Sequence, residues 1–231
     1  MISMIKNILF DLDDTILDFK KAEKIALFKT LEELGVTPDD EIAQKYSRYN
    51  ISQWKRLELG EITRQEVKVN RYKLLFDDIG ADCSPELATE IYEEKLAVGH
   101  YFIDGAEDLL KSLRKSYNLY LVSNGSKKVQ TGRLASAGIS PYFKGIFISQ
   151  DVGYEKPSPL FFEKVFHSID NFSKSETAIV GDSLSSDIKG GFNAGIKTVW
   201  FNPRKEINDS NIIPDYEISS LSQLKKLIQE I

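Results

Sequence analysis

The chain has 231 residues, of which 42% are hydrophobic and 28% charged, a balance that allows one sizeable core or one core with a large insertion. Its formal charge of −5 comes from 30 basic and 35 acidic residues without a basic block, which argues against binding of a nucleic-acid polymer. Neither a signal peptide nor a run of membrane-spanning length is evident. A single cysteine, Cys83, excludes an internal disulfide and a cysteine-cluster metal site, so we expect a cytoplasmic protein without a membrane partner.

The first predicted element is an apolar strand, residues 5–10, that ends in a cluster of acids. Asp11 and Asp13 follow the strand two positions apart, so they leave it on the same side, and Asp14 and Thr15 come directly behind. Carboxylates this close repel each other unless a proton or a cation lies between them. The segment alone fits either a reactive site or a solvated turn.

Residues 18–99 differ from the rest of the chain because their sequence pattern predicts helices and no strands. Glycine and proline separate the predicted helices, and apolar side chains recur in the first of them at a spacing of three, which favours a packed bundle. The helices are predicted at residues 22–34, 39–59, 63–79 and 85–98. We therefore predict a helical domain of residues 18–99, inserted into a domain of residues 1–17 and 100–231.

Strands and helices alternate after the insertion. The strands are predicted at residues 119–122, 145–148, 178–180 and 198–201, and the helices at residues 106–115, 127–137, 159–169, 187–193 and 221–231. Alternation of this kind predicts an α/β fold with a central parallel sheet covered on both faces. Ligands bind such sheets beyond the carboxyl ends of the strands, where the polar segments of this chain follow.

Two of these polar segments suit an anion. Ser123, Asn124 and Gly125 form a strand-to-helix turn whose backbone N–H groups and helix dipole attract negative charge, although the same residues also make a plain turn. Lys156 precedes Pro157, which keeps it in an extended segment outside any helix. We predict that these residues bind a phosphate group.

The third polar segment adds two carboxylates after the strand at residues 178–180. Asp182 and Asp187 would join Asp11 and Asp13 in one cleft, although Asp187 could also be a helix N-cap. A Mg²⁺ ion and Lys156 supply three positive charges, and a proton on Asp13 brings the empty site close to neutral. Carboxylates and substrate phosphate are the ligands that Mg²⁺ prefers, so we expect Mg²⁺ as the cofactor.

These motifs, in this order, resemble those of the haloacid dehalogenase (HAD) superfamily of phosphohydrolases, and the resemblance covers the whole chain. It implies a Rossmann-like core with the inserted helices as a type-1 cap, and a small phosphorylated substrate. The chain departs from the common pattern at Ser123, where many relatives carry Thr, and at Asp104-Gly105, where many carry Pro-Gly. Neither departure touches the core chemistry.

The resemblance also implies roles for individual residues. Asp11 matches the nucleophile that forms an aspartyl-phosphate, and Asp13 matches the general acid/base that protonates the leaving oxygen and later activates water. Ser123 and Lys156 match the groups that bind the transferring phosphoryl group.

The implied metal site consists of Asp11, the backbone carbonyl of Asp13 and Asp182. Asp187 matches an acid that supports the metal and the lysine, and Thr15 is a further supporting residue. Asp14 is expected to be a bystander.

A finer resemblance concerns residues 152–157, 181–191 and 200–203, which are similar to a bacterial pyrimidine 5′-nucleotidase subfamily. It implies removal of phosphate from nucleoside monophosphates. Aromatic residues of the insertion could stack on a base, although such residues more often belong to the hydrophobic core. The candidates are Phe19, Tyr46 and Trp54.

Three alternatives stay open: a sugar-phosphate phosphatase, a phosphomutase whose cap shuts out water, and a phospho-accepting receiver-like module. The receiver is disfavoured because its fold has no place for a long helical insertion. A dehalogenase has no leaving oxygen to protonate, so Asp13 favours phosphoryl chemistry.

Overall fold

The computed structural model describes residues 4–231, which divide into two units. The first unit comprises the described residues up to Phe19 together with His100–Ile231, and the second comprises Lys20–Gly99. Among the described residues, none of the helices combines the length and the hydropathy that a membrane span requires.

A parallel sheet with the strand order β3-β2-β1-β4-β5-β6 forms the centre of the first unit. Over residues 4–231 its strands are β1 (Asn7–Phe10), β2 (Asn118–Ser123), β3 (Gly145–Ile148), β4 (Thr177–Gly181), β5 (Lys197–Phe201) and β6 (Tyr216–Ile218). The predicted α/β fold with a central parallel sheet is thus confirmed. Strand β6 was not predicted, because it has only three residues and Ile218 alone is buried.

Helices connect most of the strands and follow the last of them. In the described part of the chain they are α1 (Phe19–Glu33), α2 (Asp40–Glu58), α3 (Arg64–Ile79), α4 (Pro85–Ala97), α5 (Ala106–Leu113), α6 (Lys127–Ala137), α7 (Ser149–Val152), α8 (Pro159–His167), α9 (Lys189–Ala194) and α10 (Leu221–Glu230). The short helix α7 was not predicted, since one turn carries no periodic signal.

Strand β1 lies in the middle of the sheet and is buried along its whole length. Ile8 and Phe10 face one apolar cluster and Leu9 faces a second cluster on the opposite side, as alternation along a strand requires. A strand buried on both faces reads as a continuous apolar run. Phe10 is in register with Leu121 and with Val180, so the carboxyl ends of β1, β2 and β4 meet at one edge.

The second unit is helical, and polar residues mark where its helices begin. Asp39 accepts a hydrogen bond from the Ile42 backbone N–H at the start of α2. Thr63 and Glu66 form a reciprocal capping box at the start of α3. These caps explain why the predicted helix boundaries lie within three residues of the observed ones.

The core of the helical unit contains a buried polar chain. Asn50 donates to Glu23 Oε1 at 2.7 Å and accepts from Arg71 Nη1 at 3.0 Å. The Arg71 guanidinium lies 5.7 Å from the ring of Tyr46, which is fully buried, whereas Trp54 is half-buried. Tyr46 is therefore a core residue of this unit.

The helix predicted at residues 187–193 begins earlier in the structure. A π-helical turn, Leu184–Ile188, precedes α9, and the Ser183 side chain caps it by accepting the Ser186 backbone N–H. The N-cap alternative for Asp187 is therefore wrong, because Ser183 fills that position and Asp187 lies inside the turn.

Helix α9 packs closely on the sheet at Gly191. A methyl group added there would lie 2.5 Å from Ile179 Cγ2 and 2.8 Å from Thr198 Cγ2. We expect Gly191→Ala to lower the free energy of unfolding by about 1–3 kcal/mol, because the overpacked helix must move off the strands. Urea unfolding measures this, with exposed Asn193→Ala on the same helix as the control; equal stabilities would contradict the prediction.

Candidate active site

Polar side chains from different strands converge at the carboxyl edge of the sheet. Asp11 follows β1, Ser123 ends β2, and Asp182 follows β4. Asp11 and Ser123 are buried and Asp182 is partly exposed. The sheet register thus brings Asp11 together with residues more than 100 positions later in the sequence.

Lys156 is fully buried and makes three polar contacts. Its Nζ donates to Asp11 Oδ1 at 2.7 Å, to Asp187 Oδ1 at 2.6 Å and to the Val122 carbonyl at 3.0 Å. Burial alone would lower the pKa of Lys156, but Asp11 and Asp187 outweigh it and raise that pKa above its usual range. Lys156 is therefore a fixed positive charge beside Asp11.

The Asn124 side chain holds the backbone of Lys156. Its Nδ2 donates to the Lys156 carbonyl at 2.8 Å, and its Oδ1 accepts the Lys156 N–H at 2.9 Å. This pair of bonds fixes the loop that presents the lysine. Because the side-chain amide of Asn124 is bonded to Lys156, only the backbone of Asn124 could contribute to the predicted anion site at Ser123–Gly125.

Asp11, Asp182 and Asp187 form a carboxylate cluster in which one oxygen of each lies within 4.8 Å of the others. Burial, reinforced by Asp187 and Asp13, raises the pKa of Asp11 to about 8, although Lys156 opposes the shift. Burial, together with Asp11 and Asp187, raises the pKa of Asp182 well above its usual range. When ionised, the three carboxylates carry more negative charge than Lys156 neutralises, and an all-oxygen donor set of this kind fits Mg²⁺.

Neighbouring groups contact the backbone of Asp182 and the carboxylate of Asp187. The Asp182 carbonyl accepts the indole N–H of Trp200 at 2.8 Å, and Asp187 Oδ2 accepts the Ser183 N–H at 3.1 Å. A Cβ atom on Gly181 would lie 2.3 Å from Asp187 Oδ2, so only glycine allows this close approach. Sequence reasoning did not assign a role to Trp200.

Ser123 accepts two hydrogen bonds through its hydroxyl oxygen. The donors are the Gly125 backbone N–H at 3.1 Å and Gln130 Nε2 at 2.8 Å. A hydroxyl oxygen has two lone pairs, so its hydrogen is left to donate.

The Asp13 carboxylate is held by two residues of α6 that sequence reasoning missed. Gln130 Nε2 donates to Asp13 Oδ2 at 2.6 Å, and Arg133 Nη1 donates to Asp13 Oδ1. Both side chains are buried. Their spacing of three on the helix that follows Ser123 is the one sequence signal that could have suggested a shared role.

Asp14 and Thr15 lie at the bend that follows these acids. Asp14 has a left-handed backbone (φ 55°) and accepts the Phe19 N–H at 2.9 Å, where α1 begins. Burial and the nearby charge of Asp13 raise the pKa of Asp14 to about 6. Thr15 is fully buried, and its hydroxyl has no hydrogen-bond partner within residues 4–231. Asp14 thus shapes the chain at the start of α1.

Three curated proteins are similar to this chain over nearly their whole length. HAD-hydrolase YfnB from Bacillus subtilis is 40% identical over 96% of this chain and 95% of its own length. Pyrimidine 5′-nucleotidase PynA from Streptococcus pneumoniae is 42% identical over 95% of this chain and 93% of its own length. Pyrimidine 5′-nucleotidase YjjG from Escherichia coli is 29% identical over 96% of each chain.

The crystal structure of B. subtilis YfnB, described as bound to magnesium, superposes with a TM-score of 0.94 over 98% of this chain and 99% of that one. The sequence profile of haloacid dehalogenase-like hydrolases matches residues 8–201, which include the whole of the carboxylate cluster, Lys156 and Ser123. The chain belongs to the haloacid dehalogenase-like hydrolase family.

Proposed function

We propose that this protein is a Mg²⁺-dependent phosphatase of small phosphate monoesters and that its substrates are pyrimidine nucleoside 5′-monophosphates. The observation that carries the proposal is the buried ammonium of Lys156, held 2.7 Å from Asp11 beside the Asp182 and Asp187 carboxylates. A fixed positive charge next to a carboxylate suits transfer of an anionic phosphoryl group. The nucleotide preference is drawn from the relatives PynA and YjjG.

In the proposed first step, Asp11 attacks phosphorus in line with the ester bond. An Asp11 oxygen–phosphorus bond forms, the bond from phosphorus to the ester oxygen breaks, and a proton from Asp13 passes to the leaving oxygen. Lys156 and the Ser123 hydroxyl hold the phosphoryl oxygens, which carry the charge of the transition state.

In the second step, Asp13 takes a proton from water, whose oxygen attacks the phosphorus of the aspartyl-phosphate. The bond to Asp11 breaks, inorganic phosphate leaves and Asp11 is regenerated. The carboxylate pair thus divides the work: Asp11 forms the covalent bond and Asp13 moves protons in both steps.

Asp11, Asp182 and the backbone carbonyl of Asp13 would hold the metal ion, with Asp187 supporting both the metal and Lys156. Mg²⁺ bound there supplies positive charge that balances the carboxylates and the phosphate oxygens.

The helical unit, Lys20–Gly99, is proposed to act as the cap domain that selects the substrate. The protein is proposed to work in the cytoplasm. Because Tyr46 is fully buried, Phe19 and Trp54, both half-buried, are the better candidates for contact with a base.

Replacing the nucleophile should abolish turnover. We expect Asp11→Asn to lower p-nitrophenyl phosphate hydrolysis in the presence of Mg²⁺ on the order of 10⁴-fold or more, because an amide cannot form the covalent intermediate. Asp14→Asn is the matched control, since the amide oxygen can still accept the Phe19 N–H. Near wild-type activity in Asp11→Asn, with the fold checked by circular dichroism, would disprove the proposed role.

Metal binding should stabilise the protein. We expect Mg²⁺ at about 100 times its Kd to add about 2.7 kcal/mol to the free energy of unfolding and to raise the Tm by several degrees. Asp182→Asn should lose this shift, because a ligand and part of the charge excess are removed. Calorimetry with and without EDTA measures both proteins; an equal Mg²⁺ shift in the variant would argue against Asp182 as a ligand.

The substrate class can be tested by a phosphate-release screen with Mg²⁺. We expect UMP, dUMP and dTMP to give the highest kcat/KM, ahead of sugar phosphates and short phosphorylated metabolites. A preference for sugar phosphates would overturn the nucleotidase assignment but keep the phosphatase. An isomeric product from a hexose 1-phosphate would identify a phosphomutase instead.

A further inference from the structure

We propose that Gln130 and Arg133 are positioning residues that orient the Asp13 carboxyl group and the Ser123 hydroxyl for phosphoryl transfer. The inference rests on the proposed function and assigns its proton-transfer geometry to one face of helix α6. It adds two residues to the site that form no part of the carboxylate cluster or the lysine loop.

Each oxygen of Asp13 has its own donor. Gln130 Nε2 lies 2.6 Å from Oδ2, and Arg133 Nη1 donates to Oδ1. Two donors on two oxygens fix the plane of the carboxyl group as well as its position. The donors themselves are immobile, because Gln130 is 1% exposed and Arg133 is 0% exposed.

The orientation of the Gln130 amide follows from its neighbours. Its Oε1 faces Arg133 Nη1 at 3.3 Å, and its Nε2 faces the Asp13 carboxylate. A flipped amide would place its oxygen against the carboxylate and its N–H groups against the guanidinium, which both repel. Gly125 leaves room for the amide, since a Cβ atom there would lie 2.2 Å from Gln130 Nε2.

The same amide nitrogen reaches Ser123. It donates to the hydroxyl oxygen at 2.8 Å, and the Gly125 N–H donates to that oxygen at 3.1 Å. With both lone pairs in use, Ser123 can only donate its hydrogen to a ligand, as a group that binds a phosphoryl oxygen must. Gln130 therefore links the proton-transfer group to the phosphate-binding group.

Stability alone gives no reason for a guanidinium at position 133. A fully buried charge loses its hydration, and apolar side chains in place of both partners of a buried ion pair often cost no stability. What Arg133 supplies, and an apolar side chain cannot, is a fixed donor for Asp13.

This arrangement has a consequence for substrates with different leaving groups. The alkoxide released from an alkyl phosphate needs the proton that Asp13 delivers, whereas p-nitrophenolate is stable as an anion. A misplaced Asp13 should therefore slow cleavage of benzyl phosphate much more than that of p-nitrophenyl phosphate, an ester of similar shape.

The test compares kcat/KM for these two esters, with Mg²⁺, in wild type, Arg133→Met and Gln130→Met. The parameter kcat/KM reports the enzyme up to the first irreversible step, in which Asp13 donates its proton. We expect the ratio of benzyl to p-nitrophenyl phosphate to fall on the order of 10-fold or more in both variants. Gln130→Met should also weaken competitive inhibition by inorganic phosphate, because Ser123 loses a donor, whereas Arg133→Met should not.

Leu134→Ala is the matched control for structural damage, because Leu134 is the next residue on α6 and is buried in the apolar core. It should lower the Tm and leave the ratio of the two esters unchanged. Equal losses for both esters, or no loss, in Gln130→Met and Arg133→Met would overturn the positioning role. If wild type cleaves neither ester while folded and loaded with Mg²⁺, the proposed function itself fails.

Discussion

The buried ammonium group of Lys156 is the interaction on which the site depends. A charge without water must be paired, and here the partners are Asp11 after β1, the Val122 carbonyl in β2 and Asp187 after β4. One side chain thus ties three strand ends together. The contacts that compensate for burial of the charge also fix the position of Asp11, the carboxylate proposed to attack phosphorus. Local stability and the proposed reactivity therefore depend on the same contacts.

The sheet makes this pairing possible. Strand β1 is central and buried on both faces, and its register with β2 and β4 aligns their carboxyl ends. The division of labour proposed for the site is also spatial: Asp182 and Asp187 follow β4, and the Asp13 contacts with Gln130 and Arg133 come from the helix that follows β2. Helix α6 thus supports the group proposed to transfer protons, and through Gln130 it also contacts Ser123, which is proposed to bind the phosphoryl group.

The sequence predicted the sheet and the convergence of acids because both leave local signals: apolar runs for strands, and acids directly after them. Strand β6 leaves none, since only Ile218 of its three residues is buried. The contacts of Gln130 and Arg133 with Asp13 span 117 and 120 positions, and no periodicity connects residues so far apart. The use of the Asn124 amide by Lys156 escaped prediction for the same reason. Residue types near a strand end are therefore readable from sequence, whereas the partner of each polar atom depends on the tertiary packing.

The pairing of β1 also bears on the order in which the contacts of this fold can form. Asn7 pairs with Asn118 on one side and with Thr177 on the other, so β1 gains both of its neighbours from residues more than 100 positions later in the chain. The intervening helices depend on contacts close in sequence, which form rapidly. Until those later residues are in place, β1 is an unpaired apolar strand, a kind of segment that favours aggregation. The contact of Lys156 with Asp11 spans 145 positions, so this charge pair, like the sheet around β1, belongs to the slowly formed, long-range contacts of the fold.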